Sequence, residues 1–324
     1  MKHFLWTILG CIISLSAYAN DSIARIGAGG IIFLKSEDIR LVQEILEISP
    51  SNITVHYRFL NESDKDIRAT LAFPMPPYLI RNPQEEDSNN GPLRPFSTTV
   101  NGIAVKATLI RKATADGSDI TDKLRKVGLT DEQIFETSAL CPEGSQSEYC
   151  GVTPQQQQMM EGMRLPGEWW VDETAVWEYV FPAHKEVEVK HVYQPRTGTS
   201  YSKPYQAGGK FILPVETKEG MAEACVDKDV AKAIDKRIRT VVDEGARDVA
   251  LSKADVSYIL LSGKNWKGPI TDFRLRLKKA WPDQIVSVCF PGKPRRVEDG
   301  VLEFAQKDFV PQDDLVVYFY TVSK

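Results

Sequence analysis

The chain is 324 residues long, with 40 Lys and Arg against 44 Asp and Glu and a formal charge of −4. No basic excess exists to neutralise a phosphate backbone, so nucleic acid is excluded as a partner class, and anionic membrane surfaces are disfavoured for the same reason. A hydrophobic share of 42% is ordinary for a globular chain, and the length suggests two domains.

Met1 to Ala19 reads as an export leader: a short basic start at Lys2-His3, an apolar run from Phe4 to Ser16, and the small-x-small pattern Ala17-Tyr18-Ala19 before Asn20-Asp21. The run is shorter than the roughly 20 residues that span a bilayer core. The expected location is therefore periplasmic or secreted. A lipid anchor at Cys11 is the weaker alternative, because Leu9 fits that pattern poorly and the apolar run continues past the cysteine. Leader removal takes away Lys2 and leaves 39 basic side chains against 44 acidic. No later stretch reaches spanning length, so no membrane span is expected.

Ile53, Val55, Tyr57 and Phe59 alternate with polar residues, the period of two of a half-buried strand. Ile67 to Phe73 reads as a second strand, stopped at Pro74-Met-Pro-Pro77. Asn82 to Pro95 is rich in charge, Pro and Asn and reads as a loop. Phe96 to Ile110 reads as a hairpin whose turn is Asn101-Gly102, residues that tolerate positive φ. Thr121 to Val127 reads as a short helix closed by Gly128, and Thr130 to Gln133 as a capping box opening a second helix. Cys141 to Pro166 reads as irregular, so Ala113 to Gly167 is expected as a helical and loop insertion.

Strands resume at Ala175 to Phe181 and Val187 to Tyr193. Gly198 to Gly209 reads as a loop and Lys210 to Val215 as a strand. Asp227 caps an amphipathic helix to about Glu244 that carries Val230, Ile234, Ile238 and Val241 on one stripe. Further strands are expected at Val256 to Leu261, Ile270 to Lys278, Ile285 to Phe290, Val301 to Phe304 and Leu315 to Val322. In Ile270 to Lys278, Phe273, Leu275 and Leu277 should face inward. The expected class is β-rich α+β. Residues 20–213 would form an antiparallel sandwich-like domain with the 113–167 insertion, and 214–324 a smaller domain of antiparallel strands with one long helix.

Four cysteines remain after the leader, and the expected bridges are Cys141–Cys150, around a polar turn-rich stretch, and Cys225–Cys289. A zinc site is the rival reading, but close Cys-x-x-Cys pairs are lacking. Gly27-Ala-Gly-Gly30 has no Gly-Lys-Ser/Thr after it, and no strand is expected before it, so it reads as a turn rather than a phosphate cradle. His56, His184 and His191 form no ligand pattern, and no Gly-x-Ser-x-Gly elbow is present. No cofactor and no metal are expected, and the reading leans away from an enzyme.

The densest aromatic and acidic cluster is Glu168-Trp169-Trp170-Val171-Asp172-Glu173, followed by Trp177-Glu178. Indole faces stack on sugar rings and carboxylates accept hydroxyl bonds, so Trp169, Trp170, Asp172, Glu173 and Trp177 are the candidate binding residues for a glycan or a protein surface. Packing of the insertion onto a sheet is the plainer account of the same residues. Two alternatives stand beside a binding or envelope-associated protein. One is a carbohydrate- or cell-wall-active hydrolase using two of Glu168, Asp172, Glu173 and Glu178, which needs a carboxylate pair about 5 Å or 6.5–9.5 Å apart. The other is a secreted effector that binds a host protein.

Several segments resemble the exported bacterial family of unknown function numbered 4424. They include Val55-His-Tyr-Arg-Phe59, Ala72-Phe-Pro-Met-Pro76, His191-Val-Tyr-Gln-Pro195 and Cys225-Val-Asp227. The most specific part is Tyr258 to Gly263 with Asn265-Trp-Lys-Gly-Pro-Ile270, and Phe309-Val-Pro311 with Asp314-Leu315 closes the match. The resemblance implies an exported protein with no assigned reaction and supplies no catalytic residues.

Overall fold

The structure is a computed structural model that describes residues 22–27, 30–80, 96–136, 152–207 and 210–324. The leader, Cys11, Cys141, Cys150 and the loop expected at 82–95 lie outside the described residues.

Three main sheets make the body, and the class is β-rich α+β, sandwich-like as expected. The first sheet has the order β2 (Gly30–Leu34), β1 (Ser22–Gly27), β5 (Ile67–Ile80), β10 (Trp169–Phe181), β8 (Thr108–Ala115), β9 (Ser118–Asp119). The second runs β18 (Arg295–Glu298), β19 (Val301–Phe309), β16 (Ile270–Lys278), β3 (Ile39–Ile48), β4 (Ile53–Asn61), β11 (Glu186–Tyr193), β6 (Phe96–Val100), β7 (Ile103–Val105). The third runs β12 (Thr197–Ser202), β15 (Ala250–Tyr258), β20 (Leu315–Ser323), β17 (Ile285–Val288). A small ribbon joins β13 (Tyr205–Ala207) to β14 (Lys210–Ile212).

Alternation along the strands builds one contiguous core from all three sheets. Leu71, Phe73, Ala175 and Trp177 of the first sheet meet Val55, Tyr57, Phe59, Val189, Phe273 and Leu275 of the second, and Val256, Tyr258, Val317 and Phe319 of the third join them. Phe273, Leu275 and Leu277 do face inward. Each such fully buried side chain contributes on the order of 2 kcal/mol of burial free energy.

The second sheet crosses the boundary expected at 213/214. β16 pairs in parallel with β3, placing Leu275 beside Leu46, and β19 and β18 follow it. Strands from late in the chain thus complete a sheet begun near its start. No local pattern announces a pairing that spans such a distance.

β5 does not stop at Pro74. It continues through Pro74, Pro76 and Pro77 to Ile80, because β1 pairs with it only at Thr70, Leu71 and Ala72. Beyond Ala72 that side of β5 has no strand partner among the described residues, so a missing N–H costs no ladder bond. On the other side, Met75 lies opposite Glu173 and Tyr78 opposite Val171, so Pro76-Pro77 face Asp172 alone. The prolines sit at a bulge.

A strand, β1, does precede the Gly27–Gly30 segment, and β2 returns antiparallel from it. Gly27 and Gly30 stand opposite each other as the paired ends of that hairpin, and Gly30 opens a strand, not a helix. Asn101 and Gly102 take φ of 49° and 78° at the β6–β7 turn, as expected.

The insertion places α1 (Thr121–Lys126) and α2 (Asp131–Phe135) as read, with the Thr130–Gln133 capping box formed. A third helix, α3 (Pro154–Gly162), occupies a stretch read as irregular, capped by Thr153 with Gln156. Leu124, Ile134, Phe135 and Met160 pack on Tyr78, Ile80, Trp169 and Val171 at one end of the first sheet.

Against the outer face of the third sheet lie α4 (Val215–Glu223), where a strand end was expected, and α5 (Lys228–Asp243), capped by Asp227 as expected. Ile234, Ile238 and Val241 of α5 are buried on Leu251, Tyr320 and Val322. The expected bridge Cys225–Cys289 is formed, with Cα atoms 5.2 Å apart.

Candidate functional site

β10 begins at Trp169, six residues earlier than the sequence pattern places it, and the period of two then sorts the candidate residues onto opposite faces. Trp169, Glu173 and Trp177 point inward. Trp169 is buried and its indole N–H donates to the Ile134 carbonyl at 2.9 Å, holding α2 on the sheet. Trp177 is buried with its ring edge-on to His191, centroids 5.4 Å apart. Glu173 stands opposite Arg111 of β8, whose Nε donates to Oε1 at 2.9 Å, and the same guanidinium reaches Glu136 at 3.2 Å. The other Glu173 oxygen is buried without a hydrogen-bond partner.

Trp170 and Asp172 point outward. Trp170 is 49% exposed, opposite Thr114, and Asp172 lies opposite Lys112. The packing around Asp172 raises its pKa, against the Thr114 hydroxyl and the Lys112 charge. The five candidate residues therefore do not converge on one surface. The carboxylates do not pair either. Asp172 and Glu173 are on opposite faces, while Asp172 and Glu178 share a face but are about 20 Å apart along an extended strand. Glu178 is engaged by Arg68 at 3.3 Å.

Behind β10, Arg196 lies 4.3 Å over the Tyr78 ring and donates to the Pro76 carbonyl. Burial pulls its pKa down to about 10, opposed by Glu173, Tyr78 and Tyr193. Tyr78 in turn donates to the Phe135 carbonyl at 2.7 Å. This cluster joins insertion, sheet and β11–β12 connection, and its groups are spent on structure.

The histidines remain separate. His191 is fully buried, its Nδ1 3.0 Å from the Thr98 hydroxyl. His184 is exposed beside Asp64 at 2.8 Å, and His56 is exposed on β4. No group of three His, Cys, Asp or Glu side chains able to hold a metal occurs among the described residues. No helix among them is long and apolar enough to cross a membrane.

A concave site among the described residues lies elsewhere, over the third sheet, one edge of which, β12, falls where the sequence pattern suggests a loop. A cavity of ≈ 230 Å³ opens between α4 and the sheet's outer face. Register builds its floor: Ser200 of β12, Lys253 of β15 and Tyr320 of β20 stand in one cross-strand row, with Ser202 and Leu251 in the next. Thr217, Gly220 and Met221 of α4 form the facing wall, and the Thr217 hydroxyl donates to Ser202 Oγ at 2.8 Å.

Tyr320 is 2% exposed, and its hydroxyl is buried with no hydrogen-bond partner, a state that costs about 1–3 kcal/mol. Burial also pushes its pKa up to about 12. The Lys253 ammonium stands 5.4 Å over the Tyr318 ring. The wall is anchored at its far end: just beyond α4, Ser287 Oγ donates to the Ala224 carbonyl at 2.8 Å and Cys225 is bonded to Cys289. The signal available in the sequence was the alternation Thr197-Gly-Thr-Ser-Tyr-Ser202, which polar composition disguised as a loop.

The family model described as Domain of unknown function (DUF4424) matches residues 19–318. No curated protein matches the sequence. Among solved structures, a candidate nutrient-binding protein from Legionella pneumophila superposes with a TM-score of 0.47 at 16% identity, covering 94% of this chain and 71% of that one. Yeast LTA4 hydrolase bound to bestatin gives a TM-score of 0.31 at 9% identity, covering 87% of this chain and 28% of that one.

Proposed function

The chain belongs to the DUF4424 family, whose function is unknown, and from that footing we propose that it is an exported, non-catalytic binding protein whose ligand occupies the cavity between α4 and the third sheet. The observation that carries this reading is the cavity lining itself, where Lys253 and Ser200 stand beside Tyr320, whose hydroxyl is buried just beneath that surface without a partner. Export is supported by the leader-like first nineteen residues and by the Cys225–Cys289 bridge, since disulfides persist where thiols oxidise.

A Cβ at Gly220 meets nothing within 4 Å, so Gly220→Phe adds bulk to the cavity wall without a backbone clash. Saturation-transfer NMR of the mature chain against a mixture of small metabolites should show bound components whose signals disappear in Gly220→Phe. Signals that are absent, or unchanged in the variant, defeat the reading.

A second reading keeps the outer face of β10. Trp170 is exposed beside Asp172 and Thr114, a flat aromatic and polar patch suited to a glycan or protein surface. Retention on insoluble polysaccharide or envelope fractions that Trp170→Ala abolishes would favour it, and retention indifferent to Trp170 would end it. Hydrolysis draws no support from Asp172, Glu173 and Glu178 of β10, which lie on opposite faces or about 20 Å apart along the strand.

A further inference from the structure

Resting on the cavity reading above, we infer that the cavity recognises a small organic monocarboxylate, with Lys253 and Tyr320 binding the carboxylate and Met221 and Leu251 receiving the apolar body.

Charge selects the class. Among the described side chains of the cavity lining, Lys253 is the only ionisable one besides tyrosines, and none is a carboxylate. No described carboxylate forms an ion pair with it, its contact being the Tyr318 ring. Asp255 is two residues along the same strand face, but its oxygens lie against β12, 2.7 and 2.8 Å from where a Cβ of Gly198 would be, and it is not part of the lining. A cationic ligand would therefore meet a like charge on the described lining, while the Asp255 charge reaches Tyr320 only from outside it and as a smaller influence than burial. A phosphate dianion would meet one ammonium where such groups are gripped by several donors or by an arginine fork. One ammonium matches one carboxylate.

Hydrogen bonding selects the orientation. Lys253 and Tyr320 are directly opposite in the β15–β20 register, so their side chains leave the same face of the sheet as neighbours. The Tyr320 hydroxyl is covered, so a carboxylate oxygen bound at Lys253 gives it the acceptor it lacks where the covering side chains yield, and a charged acceptor strengthens that bond. Ser200, next in the same row, supplies a further hydroxyl. Met221 of the α4 wall and Leu251 of the floor give the lining an apolar part, so a body of short aliphatic or single-ring size fits better than a polyol.

The test is a matched set of probes with the mature chain: benzoate, benzyl alcohol and benzylamine, titrated by two-dimensional NMR at constant ionic strength. Benzoate should bind roughly tenfold or more tightly than benzyl alcohol, the worth of one charge-assisted bond, with shifts centred on α4, β12 and β20. Lys253→Met should erase that preference. Tyr320→Phe should weaken benzoate severalfold while leaving folding intact, because it removes only an unpartnered hydroxyl. Equal binding of benzyl alcohol or benzylamine, or a preference that survives Lys253→Met, overturns the carboxylate while leaving a ligand cavity standing. Failure of all three probes to shift these elements overturns the carboxylate too, and the Gly220→Phe metabolite experiment then decides the cavity by itself.

Discussion

The Lys267 ammonium sits 2.8 Å from Glu62 Oε2, while Arg40 Nε donates to Glu62 Oε1 at 2.7 Å. One carboxylate on the end of β4 is thus gripped from two sides, by β3 and by the segment leading into β16. The neighbouring residues give that segment its shape. Trp266 is buried with its ring 4.4 Å from Phe59, the Lys267 N–H donates to the Ile39 carbonyl, and Gly268 takes φ +68° where a Cβ would meet Arg40 at 3.1 Å. The Trp-Lys-Gly-Pro-Ile run that most resembles the family is therefore a structural clasp, feeding Ile270 into the parallel β16–β3 pairing.

Arg40 first, and then Lys267, hold the Glu62 carboxyl down to a pKa of about 2. A depressed carboxylate stabilises the fold fully above its unfolded pKa near 4.5, and that stabilisation is lost as pH falls toward 2. Discounted for partial exposure, it amounts to about 1 kcal/mol. Glu62→Gln should therefore melt a few degrees low at pH 7 and converge with the parent near pH 2. A deficit of the same size at both ends of a pH series of melts would show that the charge is not the cause.

What was legible in the sequence was local. The Asn101-Gly102 turn, the Thr130 capping box and the α5 stripe are each written within a few residues, and each forms. The α3 helix was equally legible from Thr153-Pro154 and Gln156, but the glutamine tract obscured it. The candidate site was less legible, because it depends on where β10 starts. Beginning the strand at Ala175 leaves Trp169, Trp170, Asp172 and Glu173 as one cluster, whereas beginning it at Trp169 divides them between core and solvent. The Lys253–Tyr320 pairing joins residues far apart in the chain, and only the register of β15 on β20 reveals it.

Adjacent tryptophans should respond oppositely to substitution. Trp169→Phe leaves the buried Ile134 carbonyl without its donor and loses volume under α2, costing about 2 kcal/mol. Trp170→Ala, on the solvent face, should stay within about 0.5 kcal/mol of the parent. Urea midpoints of the two variants check this, and equal losses would contradict the assignment of faces.

Glu173 and Arg111 should be coupled. Removing Glu173 leaves the partly buried Arg111 charge with Glu136 alone, so Glu173→Gln should cost about 2 kcal/mol. Replacing both, as Glu173→Leu with Arg111→Met, should cost clearly less than the sum of the single changes, since Glu136 is far less buried than Glu173. Additive losses in a double-mutant cycle would mean that the pair is not the unit the geometry indicates.

The Cys225–Cys289 bridge closes a loop of sequence separation 64 and fastens the end of α4 to the end of β17. On the chain-entropy account it stabilises the fold by about 4 kcal/mol. Its position makes a second effect separable from the first. Because α4 is the cavity wall facing the sheet and the bond ties its end, Cys225→Ala with Cys289→Ala should weaken ligand binding even at temperatures where the variant is fully folded. Ser287 still ties Ala224 in that variant, so the wall should loosen rather than detach. Urea denaturation gives the stability change, and amide exchange of residues 217–224 measured with the binding constant gives the rest. Faster exchange there with weaker binding is expected. Unchanged exchange with unchanged affinity would mean that the bridge constrains the unfolded chain alone.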